Sequence, residues 1–176
     1  MSCRFILSDV DERQVAYEEG YSIFEPTVAL ELDGKNVFRS IGLEGAKVTI
    51  VMAFREQALS ETVKMIDDVS EVKDGKNEYS YHLQGTGFGF KLERSGSLIK
   101  VFLTVGRSGS TQGVAYPQVI HVGSLSVKDW VEAVSSLSRY LSNMFFRLNP
   151  ETHNDPIFQR DEKELILLEE WLGQSG

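Results

Sequence analysis

A single cysteine, Cys3, stands in 176 residues, so no disulfide can form within the chain and a reducing cytosol is the expected setting. Long apolar runs are also missing. The segment around Ile120, Val122 and Leu125 is broken by His121, Gly123 and Ser124, and nothing approaches the ~20 residues needed to span a bilayer. Residues 1–30 alternate charged and apolar side chains and lack the ~7–15-residue apolar core of a signal peptide. Histidine is scarce. His82, His121 and His153 include no pair at i, i+3 or i+4, so no helix face is built to hold a metal. No metal or other cofactor is expected.

Positive charge is in deficit, and the shortfall is uneven. The formal charge is −8. Residues 1–20 hold five acids and two bases, residues 151–176 hold seven acids and two bases, and the stretch between them is balanced. Such a chain is repelled by nucleic acid and by anionic membranes and attracts basic partners. The remaining composition, 41% hydrophobic and 25% charged, is that of a globular chain. At this length one core suffices without a staple.

Motifs of catalysis are absent in the same way. Gly85-Thr86-Gly87-Phe88-Gly89-Phe90 has neither the G-x-G-x-x-G spacing nor a following helix, so it forms no dinucleotide loop. The loop 106–113 lacks the Walker lysine. Its Gly106-Arg107-Ser108-Gly109 sets the second glycine one residue too close to the serine for a nucleophile elbow. The pairs Glu18-Glu19, Asp67-Asp68 and Glu169-Glu170 point in different directions on any regular element and form no two-carboxylate site. Cys3 has no histidine near it in sequence. No catalytic residue is therefore assigned.

Strand patterns dominate what is present. Val28, Leu30 and Leu32 share one face, the turn Asp33-Gly34-Lys35-Asn36 follows, and Val37 to Ile41 reads as a second strand. Val48, Ile50, Met52 and Phe54 alternate and predict a core strand. Leu59, Val63 and Ile66 then change to helical spacing. Tyr79 to Leu83, Phe88 to Leu92 and Ile99 to Val105 are three strands joined by links too short for anything but hairpins. Tyr116 to Val122 returns as another. His82 and His121 lie on these strands, and the rings of Tyr79, Tyr81, Phe88, Phe90 and Phe102 would line one region of the sheet.

The strongest helix opens at Ser126, where Asp129 completes a capping box. It carries Trp130, Val134, Leu137, Leu141, Met144 and Leu148, and Asn149-Pro150 stops it. Tyr140, Phe146 and Arg147 lie off its stripe and suit an interface. A shorter helix is expected after Asp161, where Glu164 forms a second capping-box pattern, with Leu165, Leu168 and Leu172 on its stripe and Gly173 as its cap. The fold class expected is α+β: one domain over 1–176, an antiparallel meander of about seven or eight strands, a short inserted helix and a long C-terminal helix on the sheet. Residues 150–176 form an acidic helical extension.

A strand ending in Phe24-Glu25-Pro26 leads to a hairpin and a core strand. The Leu59/Val63/Ile66 helix, a three-strand meander and a helix with Trp130 and Leu137 come after it. This order of elements, over about residues 21–145, resembles small bacterial immunity proteins of polymorphic toxin systems, in particular those paired with cell-wall-associated toxins. The resemblance implies a cytoplasmic antitoxin that blocks a toxin by tight binding. It transfers no binding residue, and residues 150–176 lie outside it.

The function expected is therefore a non-enzymatic binding protein with a basic protein partner. Candidate contacts are Glu162, Glu164, Glu169 and Glu170, Arg107 in the 106–113 loop, and Tyr140 on the long helix. Three alternatives stay open: a small-ligand or regulatory domain using the aromatic sheet face, a structural subunit of a homodimer or larger homo-oligomer, and an enzyme of unrecognised type.

Overall fold

The computed structural model describes residues 2–16, 24–67, 77–106 and 118–175. In chain order these form β1 (Cys3–Ser8), a short α1 (Glu12–Val15), β2 (Thr27–Leu32), β3 (Lys35–Asn36) and β4 (Ala46–Lys47). The helix α2 (Val51–Asp67) follows. The second group of strands is β5 (Asn77–His82), β6 (Phe88–Ser95), β7 (Leu98–Val105) and β8 (Gln118–Ser126), and the chain closes with α3 (Val127–Leu148) and α4 (Pro156–Gln174).

The chain is α+β with antiparallel sheets, as the patterns predict, and the eight described strands divide between two sheets. In the first, β1 pairs only with β2, and the two-residue β3 and β4 pair with β2. In the second, β5, β6, β7 and β8 run in simple order, a full meander. Its inner face carries Tyr79, Tyr81, Phe90, Leu92, Ile99, Val101 and Leu103, all buried. The pairs Tyr81↔Phe90 and Phe90↔Leu103 put these side chains across from one another.

One hydrophobic cluster unites both sheets and the helices. Phe5 of β1 is its joint. Its ring meets Phe54 of α2 at 5.6 Å, Trp130 of α3 at 5.5 Å and Phe90 of β6 at 6.2 Å, each edge to face.

Three expectations need correction. Val48 to Phe54 is not a core strand: α2 begins at Val51 and is 17 residues long. Its buried residues Val51, Phe54, Arg55, Ala58, Thr62, Met65 and Ile66 follow a helical period. Two of them, Arg55 and Thr62, are polar, and they hide the stripe from a hydrophobicity reading. Val37 to Ile41 is a 3-10 turn. Asn36 accepts the Phe38 N–H at its start, and Gly42 closes it at φ +76°, a left-handed conformation that glycine takes without cost.

The third correction concerns α4, which is not short and does not start after Asp161. Asp155 accepts N–H bonds from Ile157 and Phe158, Pro156 occupies the first helical position, and the helix is 19 residues long and continues through Gly173 to Gln174. At the start of α3, by contrast, the Ser126–Asp129 capping box forms as predicted.

Gly85 shows how the Gly-rich hairpin is used. It sits at φ +79°, and a Cβ there would overlap the Thr49 side chain. The neighbouring Gln84 carbonyl accepts the Thr49 N–H at 3.1 Å, which fastens the approach to α2 against the β5–β6 turn.

Candidate functional site

The predicted contact residues do not form one patch. Arg107 and residues 107–113 of its loop lie outside the described residues. Glu162 and Glu169 are turned into ion pairs within the molecule. Arg139 of α3 reaches Glu162 at 3.1 Å and Glu169 at 2.7 Å. Glu170 is exposed, and Glu164 is half-buried with one carboxylate oxygen sealed from water and without a hydrogen-bond partner. Tyr140 lies apart from the α4 acids, half-exposed on the side of α3 that faces β1.

The inward acids belong to a buried network with Arg55 at its centre. Arg55 is wholly buried and donates to Asp161 at 3.0 Å, to Glu162 at 2.8 Å and to the Ser142 hydroxyl at 2.5 Å. Its guanidinium also lies 4.8 Å from the centre of the Phe158 ring. Ser142 in turn donates to Glu162. The network ties α2, α3 and α4 together at one point, and its groups are consumed by one another, so it is a structural clasp.

Burial pushes the Asp161 carboxyl up to about 6, against the opposing pull of Arg55. The folded protein therefore holds a proton there between pH ~4 and ~6, where the unfolded chain has lost it. The stability this group contributes is greatest below that window and falls as pH rises through it. Asp161→Asn removes the titration. In urea unfolding at a series of pH values, the stability of the parent minus that of the variant is expected to fall from pH 4 to 6 and then level off. A difference that rises over the window would mean that the ion pair outweighs burial.

Other candidate groups are placed singly. His82 on β5 and His121 on β8 occupy opposite edges of their sheet and do not meet. His121 lies against Phe102 at 5.2 Å, and His153 stacks on Phe146 at 3.8 Å. Among the described residues no group of three His, Cys, Asp or Glu side chains converges on a metal position. The Cys3 thiol is raised to about 12 by burial and by the charge of Asp129, so it stays protonated and unreactive at neutral pH.

The aromatic set is split as well. Tyr79, Tyr81 and Phe90 are buried in the core. Phe102 points to the other face, opposite Lys91 and beside His121.

Of the predicted contacts, Tyr140 faces an open groove beside β1. The groove runs between β1 and α3, has a volume of about 540 Å³, and has Cys3 to Leu7 as one wall. The other wall is Glu132, Ala133, Ser136, Leu137 and Tyr140, a helical stripe on α3. Among the described residues no strand pairs with the outer edge of β1.

The ladder fixes which backbone groups that edge presents. The Asp33 N–H donates to the Ser2 carbonyl at 2.9 Å, which turns the even residues Ser2, Arg4 and Ile6 toward β2. By the alternation of an antiparallel pair, the N–H and C=O of Cys3, Phe5 and Leu7 then point outward, toward the groove. Sequence patterning missed this feature because it tracks side chains, and here the partly buried Phe5 side chain packs against the core while its backbone is open. The only sequence signal was Tyr140, off the apolar stripe of its helix.

Comparison of the chain with protein-family models, with curated proteins and with solved structures finds no match.

Proposed function

We propose that the chain is a non-enzymatic binding protein that holds a basic protein partner, and that an extended segment of that partner adds as a strand to β1 beside α3. The open β1 edge next to the α3 stripe carries this reading. Five residues of β1 span about 13 Å at ~3.3 Å per residue, room for about five residues of an added strand. Main-chain bonds to Cys3, Phe5 and Leu7 supply affinity, and the wall formed by Leu137, Ser136 and Tyr140 selects side chains. Glu132, on the same wall, favours a Lys or Arg in the incoming strand. The net charge of −8 speeds encounter with a basic partner.

Within this reading the chain acts in the cytoplasm as an immunity protein that blocks a basic toxin domain, which the order of its elements suggests. Tight inhibition needs a rigid scaffold and a few anchors and no catalytic group. The small-ligand alternative has less support, since Phe90 of the aromatic sheet face packs on Phe38 and Tyr81 packs on Trp130.

Proline substitutions separate the two edges of β1. Leu7→Pro removes an outward N–H and leaves the β2 ladder whole, a position where sheet edges tolerate proline. Ile6→Pro removes an inward N–H and with it a ladder hydrogen bond to β2, and is expected to destabilise the fold. In a pull-down from host lysate at low and moderate salt, the parent is expected to retain one basic protein, held less well as salt rises. Leu7→Pro and Tyr140→Ala are expected to lose it while keeping the parent's circular dichroism. Retention of the same protein by folded Leu7→Pro would refute strand addition.

A further inference from the structure

A second surface, separate from the β1 groove, lies between α2 and α4. Ile50, Met52, Ala53, Ile157 and Phe158 enclose a hollow of about 170 Å³. Ile50 and Ile157 are 43% and 54% exposed at its mouth, while Phe158 forms a buried floor. A cavity of ~150 Å³ lined by apolar side chains is large enough for benzene, so this one admits a single bulky side chain.

The hollow opens along the same two helices into a second depression that shares Ala53 and Glu56 and adds Gln57, Ser60, Glu61, Arg160 and Glu164. Five carboxylates line the combined groove: Glu56, Glu61, Asp155, Asp161 and Glu164. Arg160, paired with Glu56, is the one cation among the residues of its lining. The nearby Arg55 is sealed beneath Asp161, and Lys64 is turned to Glu61. One oxygen of Glu164 is buried without a hydrogen-bond partner.

We propose that the α2–α4 groove docks a basic amphipathic segment of a protein partner. An apolar side chain enters the hollow between Ile50 and Ile157, and a neighbouring Lys or Arg lies over Glu56 and Glu164. The excess of carboxylates makes the partner cationic, and the one-side-chain hollow makes it amphipathic. A second copy of this chain, itself at −8, is disfavoured by the same charge.

The test uses the full chain with labelled isoleucine and methionine methyls and two probe peptides, an amphipathic Leu/Lys helix and its Leu/Glu counterpart. The Leu/Lys peptide is expected to shift the methyls of Ile50, Met52 and Ile157 and to bind at least about tenfold more tightly than the Leu/Glu peptide. Glu56→Gln with Glu164→Gln is expected to weaken it about tenfold. Arg160→Ala is expected to tighten it by freeing Glu56. Tyr140→Ala, in the β1 groove, is expected to leave it unchanged, so failure here is distinct from failure of strand addition. Equal affinity for the two peptides, absence of binding, or shifts confined to other methyls would overturn the proposal. Methyl shifts that follow dilution of the protein alone would also overturn it, by showing a second copy in the hollow.

Discussion

Replacing Arg55 by methionine is expected to lower stability at pH 7 by about 3–5 kcal/mol, the range for breaking a buried ion pair by removing one partner. The chain of contacts makes the loss large. Asp161 is 1% exposed, and with Arg55 gone its nearest cation is Arg160, at 3.4 Å and half-exposed. Ser142, fully buried, loses a donor, and Glu162 keeps Arg139 and the Ser142 hydroxyl. The expected loss is smaller at pH 5, because Asp161 can then take up a proton.

The pair as a unit is a different matter, since desolvation of two charges can exceed their attraction. Arg55→Met combined with Asp161→Leu and Glu162→Gln is therefore expected to recover most of the loss. Arg55 Nε already lacks a partner, which lowers the worth of the intact pair. Urea unfolding of the single and triple variants decides the matter. A single-variant loss under ~1 kcal/mol would show that water reaches Asp161.

Trp130→Ala is expected to cost about 3–5 kcal/mol, the usual range for deleting a fully buried Trp. Trp130 is 0% exposed and lies where three layers meet. Its ring is edge-on to Phe5 at 5.5 Å and to Tyr81 at 5.1 Å. Its indole N–H donates to the Thr62 hydroxyl at 3.3 Å, and that hydroxyl also meets the Tyr81 hydroxyl at 3.3 Å. Burial raises the Tyr81 phenol, which stays protonated and available for this bond. Trp130→Phe keeps most of the volume and loses the N–H, so a cost of about 1–2 kcal/mol is expected. Equal losses for Phe and Ala would show that the hydrogen bond, and not the packing, dominates.

The parts of this fold that were legible in sequence are those where side-chain period and local turn chemistry agree. The β5–β7 strands alternate cleanly, and Gly85 and Gly96 fall at the turns between them. The α3 boundaries follow from Ser126, Asp129 and Pro150. Legibility failed where a tertiary contact overrides local pattern. Val48, Ile50, Met52 and Phe54 alternate like a strand, yet from Val51 the chain is a helix whose stripe runs through Arg55 and Thr62. Those two residues are acceptable in the core only because Asp161, Glu162 and Trp130 arrive from more than 60 positions away. The start of α4 had a local signal, Asp155-Pro156, that carried more weight than the Asp161–Glu164 pattern. The acids Glu162 and Glu169 read as contacts for an outside partner, and only the position of Arg139 reveals them as internal partners. The β1 groove joins residue 3 to residue 140 and had no local trace beyond Tyr140.

The Arg55–Asp161 contact spans 106 positions in the chain, and that separation orders events during synthesis. At ~5–20 residues per second, roughly 5–20 s pass between the emergence of the guanidinium and that of its carboxylate. Over that interval α2 carries an unmatched charge in the middle of the face it must bury, which opposes premature closure of the core around it. The seam between α2 and α3 is thus kept from sealing until α4 has been made, and α4 acts as the timing element of assembly as well as one of its walls.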